Sequence, residues 1–243
     1  MQNQEENTII TIRKAAEMLG VSLDTLRRWD KKGSFRAVRT PGGHRLYSLE
    51  QIRLYTEDLF TLGKQWAVTA AAEEPRPEWY AANSLVFQTR LARMEKDFTA
   101  TFPNLDWVSL VIAATGEIGN NSFDHNLGNW RDIPGVFYGY DVNKREVILA
   151  DRGQGILTTL KRVRPSLSND SDALHTAFTE VVSGRAPEAR GNGLKLVRTI
   201  TEQYPLTVDF YSGNAHVTLR QGKAMQIENS GFETTGSLAR LTF

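Results

Sequence analysis

The chain contains no cysteine. That excludes a disulfide framework, a cysteine-ligated metal site and a thiol nucleophile, and it fits an intracellular location. No apolar run approaches the roughly 20 residues that span a bilayer. The first residues, Met1 to Asn7, are polar and acidic, unlike the basic and apolar start of a signal peptide. A cytoplasmic protein with no membrane partner is therefore expected. There is almost no net charge, +1 at pH 7, so any charged partner has to be read from the distribution of charge. Internal repeats are absent. What is present is ordinary for a globular protein: 243 residues, 40% hydrophobic and 23% charged. That length suits one large domain or two small ones.

The N-terminal part reads as short helices between tight turns. Thr11 is placed to cap a helix through Ala15, Ala16 and Leu19, ended by Gly20. Ser22 is placed to cap a second, with Leu23, Leu26 and Trp29 on one face and Gly33 at its end. Phe35 to Arg39 reads as a strand, Pro41 to Gly43 as a turn, and Leu46 and Tyr47 as a return strand. Ser48 and Gln51 form a capping-box pattern, which opens a helix through Ile52, Tyr55, Leu59 and Leu62. An Ala-rich stretch then gives way to Pro75 and Pro77, which disfavour a continuous helix. The expected division is a domain over 1–68, a linker over 69–77 and a domain over 78–243. In the latter, 79–101 and 106–126 read as helices. Val136–Tyr140, Val147–Ala150, Leu206–Tyr211, His216–Arg220, Ala224–Glu228 and Leu238–Phe243 read as strands.

Three short motifs carry chemistry in the second region. Glu117, Asn121 and His125 fall four residues apart, which puts a carboxylate, an amide and an imidazole on one helix face. Asp151, Gly153 and Gly155 follow an apolar strand, and Gly191, Gly193 and Leu194 come later. Each motif alone is weak. In this order they resemble the ATP site of the GHKL superfamily, the gyrase, histidine kinase and MutL type ATPases. The resemblance implies that Asp151 reads the adenine amino group and that Gly153 and Gly155 let the backbone approach base and ribose. It implies that Asn121 coordinates Mg²⁺ bridging the phosphates, that Glu117 is the general base, and that Gly191, Gly193 and Leu194 face the phosphates. Asp124 resembles the gyrase and MutL branches, whereas His125 resembles the kinase and anti-sigma branches. Residues 157–190 would form a lid, with Arg185 and Arg190 as candidates to meet the phosphates. None of the four histidines sits in the helix before this region, so self-phosphorylation in sensor-kinase style is not expected.

Positive charge concentrates elsewhere. Between Arg27 and Arg45 stand Arg27, Arg28, Lys31, Lys32, Arg36, Arg39 and Arg45 against the single acid Asp30. Such density is an electrostatic footprint for phosphate. With Thr-Pro-Gly-Gly-His-Arg over 40–45, this stretch resembles the MerR-like winged helix-turn-helix, over about residues 8–62. The resemblance implies that the helix after Gly20 enters the major groove of double-stranded DNA with Thr25, Arg27 and Arg28. Arg39, His44 and Arg45 would meet backbone phosphates from the wing. Trp29 and Tyr47 are expected in the core. Modules of this type pair, so a homodimer is expected, with helices 49–66 or 79–100 as contacts and Trp66, Trp79, Phe87 and Met94 as residues to watch.

The two resemblances together imply an α+β protein of two domains. A small winged helix-turn-helix precedes a GHKL-type α/β sandwich with a mixed sheet and helices on one face. The function they imply is a transcriptional regulator that binds DNA and ATP, with ATP and Mg²⁺ as cofactors and DNA binding or dimerisation responsive to nucleotide. The alternatives are an anti-sigma-type serine/threonine kinase acting on a STAS-like partner, and an ATPase of a mobile or defence element.

Overall fold

A computed structural model describes residues 8–33, 35–49, 51–52, 58–181 and 193–243. The chain forms two compact units, Met1–Asp58 and Leu59–Phe243.

The first unit opens with β1 (Ile9–Thr11), α1 (Ile12–Leu19) and α2 (Leu23–Lys32), followed by β2 (Val38–Arg39) and β3 (Arg45–Ser48). Its caps are those the sequence anticipates. Thr11 Oγ1 accepts from Lys14 N, Ser22 Oγ accepts from Thr25 N, and Gly20 and Gly33 end the helices with positive φ. The strand β1 is an addition: it pairs antiparallel with β3, giving the order β1-β3-β2. Ala15, Ala16, Leu26, Phe35, Tyr47 and Ile52 form the core, with Trp29 packed against it. The stacked rings of Phe35 and Tyr47 and the contact of Trp29 with Phe35 place these aromatics inside, away from any base-stacking role. Residues 53–57, including Tyr55 of the expected third helix, lie outside the described residues.

The second unit begins with α3 (Leu59–Val68), β4 (Tyr80–Ala81), α4 (Ser84–Thr101) and α5 (Val108–Asn126). Next come β5 (Val136–Asp141), β6 (Glu146–Asp151), α6 (Gly155–Lys161), α7 (Asp170–Thr179) and α8 (Gly193–Gln203). It ends with β7 (Thr207–Ser212), β8 (Ala215–Leu219), β9 (Gln226–Asn229) and β10 (Ser237–Thr242). The strands form one seven-stranded sheet of order β4-β5-β6-β10-β7-β8-β9. Among the described residues every pairing is antiparallel, so the sheet they form is not mixed.

Strand periodicity decides what covers each face. Val147 and Leu149 of β6 and Val208 and Phe210 of β7 point to the layer of α4, α5, α7 and α8. Ile148, Ala150, Phe137 and Leu238 point the other way, onto Trp66 and Ala67 of α3. Helices therefore cover both faces, and the expectation of one covered face is corrected. The same packing moves the domain boundary. Leu59, Phe60 and Leu62 belong to the cluster on the large sheet, and Gly63 lies so close to Ile148 and Phe137 that a Cβ there would press on both. The chain thus divides after Asp58, ten residues before the expected end of the first domain. Residues 69–77 are irregular, as the prolines require, but they run within the second unit. Glu73 O accepts from Trp66 Nε1 at 2.9 Å, and Ala72 joins the α3 cluster.

Trp66, Phe87 and Met94 are buried in this unit and Trp79 packs beside Phe137. They pack within the unit, Trp79 remaining half-buried. The segment expected as a lid also changes character. Ala173, Leu174 and Phe178 of α7 are buried, Phe178 edge-on to Phe210, so α7 belongs to the helical layer. Burying such a phenylalanine contributes about 1.5–3 kcal/mol.

Candidate functional site

In the first unit, the exposed side of α2 carries Arg27 and Arg28, with Thr25 half-buried near its start. Ser22 holds Thr25 through both its amide (3.1 Å) and its hydroxyl (3.0 Å). Arg27 pairs with Asp24 at 2.8 Å, an exposed contact of little energetic weight. The turn between β2 and β3 is closed by Thr40 and His44: His44 N donates to Thr40 Oγ1, Thr40 N donates to His44 O, and Gly43 takes φ 78°. That turn leaves His44 exposed. Arg39 and Arg45 stand opposite each other on adjacent strands, and both reach Asp30 at 2.6 Å. The six residues expected to meet DNA thus lie on α2 and the β2–β3 hairpin. Asp30, which organises two of them, stands out in the sequence only as the lone acid among cations.

In the second unit, a pocket of about 50 Å³ lies between α5, the end of β6, α6 and the start of α8. Asn121, His125, Asp151, Gly155 and Leu194 all line it, together with Ile118, Ile156 and Phe210. Glu117 stands one turn before Asn121. Gly193, the first residue of α8, sits so close that a Cβ there would collide with Glu117 Oε2 and lie 3.3 Å from Asn121 Nδ2. Motifs more than seventy residues apart therefore meet at one place. Asp124 does not join them: it is exposed and does not line the pocket. Arg190 and Gly191, like Arg185, lie outside the described residues.

Asp151 is 3% exposed and its carboxylate is fully engaged. Oδ2 accepts from Ser122 Oγ at 2.8 Å and from Ser237 Oγ. Oδ1 accepts from Gly153 N at 2.9 Å and from Asn126 Nδ2 at 3.3 Å. Asn126 also accepts from Gln154 N at 3.0 Å, so it fastens the loop after β6 to the end of α5. A Cβ on Gly153 would collide with the Asn126 amide, which is why glycine stands there. Gly155 takes φ 74°, a conformation costly for other residues. Sequence reasoning missed Ser122 and Asn126, although each follows a residue of the Asn121–His125 stripe. Ser237 had no local signal, being 86 residues from Asp151.

Arg152 was missed as well. It follows Asp151, and strand alternation turns it to the opposite face of the sheet, where it is 1% exposed. Its guanidinium donates to Asp132 through Nε (2.9 Å) and Nη2 (2.5 Å), and to Trp66 O in the last turn of α3 (2.5 Å). Donation from Arg152 holds the Asp132 carboxyl below the usual range. Arg152 therefore ties the strand end that bears Asp151 to the first helix of the unit.

Among the described residues no helix is long and apolar enough to cross a membrane. The MerR family regulatory protein pattern matches residues 11–47. Two proteins described as putative resolvases, both of Acanthamoeba polyphaga mimivirus, are each 49% identical to this chain over 37 residues. The match spans 15% of this chain and 20% of each relative, a small part of either. Residues 11–47 thus carry a MerR-family helix-turn-helix domain, for which DNA is the implied partner.

Proposed function

We propose that the chain is a DNA-binding regulator whose second unit binds Mg-ATP and whose hold on DNA responds to the nucleotide. One observation carries the nucleotide half: Gly193 packs directly on Glu117 and Asn121, beside a pocket whose floor is a buried carboxylate. The residues suit the ligand. Apolar Ile118, Ile156, Leu194 and Phe210 line a small pocket that would have to widen to take a base, and Asp151 offers an acceptor. Its four donors fill a carboxylate's acceptor capacity, so an adenine amino group would take the place of the longest of them, Asn126. Asn121, a neutral amide, suits a hard cation already carrying phosphate charge. The α8 N-terminus adds backbone N–H groups and the positive end of a helix dipole. Bound Mg-ATP supplies a γ-phosphate open to attack and a set of charges that can order neighbouring backbone. In this reading Glu117 would take a proton from a water or hydroxyl acceptor.

Ligand binding changes an equilibrium only through unequal affinity for two states. The contact from Arg152 to Trp66 O supports a route, because it couples the Asp151 strand end to α3, the helix that follows Asp58. Equilibrium dialysis with labelled ATP and Mg²⁺ tests the reading. Saturable binding lost in Asp151→Asn supports it, and no binding by the folded wild-type chain rejects it. A second reading, a protein of a mobile DNA element, is favoured by the 37-residue similarity to two proteins described as putative resolvases. Binding of the chain to recombination-site DNA in preference to its own upstream region would favour that reading.

A further inference from the structure

Seven cations and one acid occupy Arg27 to Arg45, and the acid is in an awkward place. Asp30 lies in the last turn of α2, where the helix dipole disfavours a carboxylate. It also subtracts charge from a surface that has to attract phosphate. Some other role must compensate. On the wing, the register puts Arg39 directly opposite Arg45, and like charges so placed repel. Asp30 answers that repulsion. Its Oδ2 accepts from Arg39 Nη2 and from Arg45 Nε, both at 2.6 Å, and its Oδ1 accepts from Ala37 N at 3.0 Å. Its side chain is 9% exposed, whereas those of Arg39 and Arg45 are 49% and 28% exposed. The backbone donor of Ala37 first, and then the two arginines against the cost of burial, hold its carboxyl below the usual range.

We propose that Asp30 is a positioning residue for DNA recognition: it pins the β2–β3 hairpin to the end of α2 and presents Arg39 and Arg45 together to the phosphate backbone. This rests on the reading of the first unit as DNA-binding. It inverts the electrostatic expectation. Removing an acid from a basic surface should tighten DNA binding, whereas removing a positioning residue weakens it.

The test uses the full-length chain and a mixed-sequence duplex, with affinity measured over a salt series. For Asp30→Asn the expected outcome is affinity reduced about tenfold, with a shallower dependence on salt, since every phosphate left unneutralised takes about one unit from the slope. In that background Arg39→Ala should cost little more, because the two act as a unit. Unchanged or tighter binding with an unchanged slope overturns the proposal. Should Asp30→Asn fail to fold by circular dichroism, Asp30→Glu decides: it keeps the charge and shifts it by one methylene. Weaker binding by that variant supports positioning, and wild-type binding overturns it. Failure of the wild-type chain to bind any duplex rejects the DNA reading itself.

Discussion

The two units encode their sites in different ways. In the first, the residues that matter are nearly contiguous: Thr25, Arg27 and Arg28 on one helix, Arg39, His44 and Arg45 on the hairpin that follows, and Asp30 joining them. In the second, the pocket is gathered from α5, β6, α6, α8 and β10, and its central carboxylate is held by Ser122 and Ser237, which are 29 and 86 residues away. A local site is visible to short-range pattern and to family comparison, which matches 11–47. A site built by the fold appears only once the strands are paired.

If that contrast is right, damage should stay within its own unit. The largest effect is expected for Arg152→Ala. It removes the guanidinium from Asp132, which among the described residues keeps only Ile133 N as donor, and from Trp66 O, at a cost of about 3 kcal/mol, read as an earlier denaturant midpoint for the second unit. An unaltered midpoint would remove Arg152 from the account. Asp151→Asn is next: ATP affinity should fall about 10- to 100-fold, the worth of a hydrogen bond to a charged acceptor, with nucleotide-free DNA affinity unchanged. Competition with labelled ATP reads the loss.

Gly153→Ala should destabilise the second unit by about 1–3 kcal/mol, as overpacking does. Its collision is with Asn126, so Asn126→Ala should relieve it and the double variant should be milder than the sum. Strict additivity in thermal melts would contradict this. For Arg27→Ala the expected loss is about 1 kcal/mol of DNA affinity, measured by fluorescence anisotropy, with ATP binding untouched.

The smallest effect concerns pH. Asp30 and Asp132 both have folded-state pKa values below those of the unfolded chain. The stability they contribute is present above the unfolded pKa and fades as pH falls below about 4, through the folded values. Replacing Asp30 by Asn should flatten that acid limb for the first unit, and replacing Asp132 by Asn should flatten it for the second. Acid titrations followed by circular dichroism distinguish the two.

Much of the fold was legible. Helix caps at Thr11 and Ser22 and glycine stops at Gly20 and Gly33 are local chemistry, and local chemistry survives folding. The main strands of the sheet were legible from alternation and apolar runs. Their pairing was not, because partners such as Leu238 and Ala150 are distant in sequence. Hence the sheet proved antiparallel, and α3 was assigned to the wrong unit: its apolar residues fit either core, and only contact with Phe137 and Ile148 decides. The motif residues Asn121, His125, Asp151, Gly155 and Leu194 were legible and do converge. Asn126 and Arg152 were not, since an amide at a helix end and an arginine after a strand are unremarkable until burial gives them partners.

The most direct test of an ATP-responsive regulator is the affinity of the full-length chain for its own upstream DNA, with and without Mg-ATP, at one fixed salt concentration. The expected result is a nucleotide-dependent shift that Asp151→Asn abolishes while leaving nucleotide-free affinity intact. Equal affinity in both conditions, with ATP shown to be bound, would contradict the coupling between the two units.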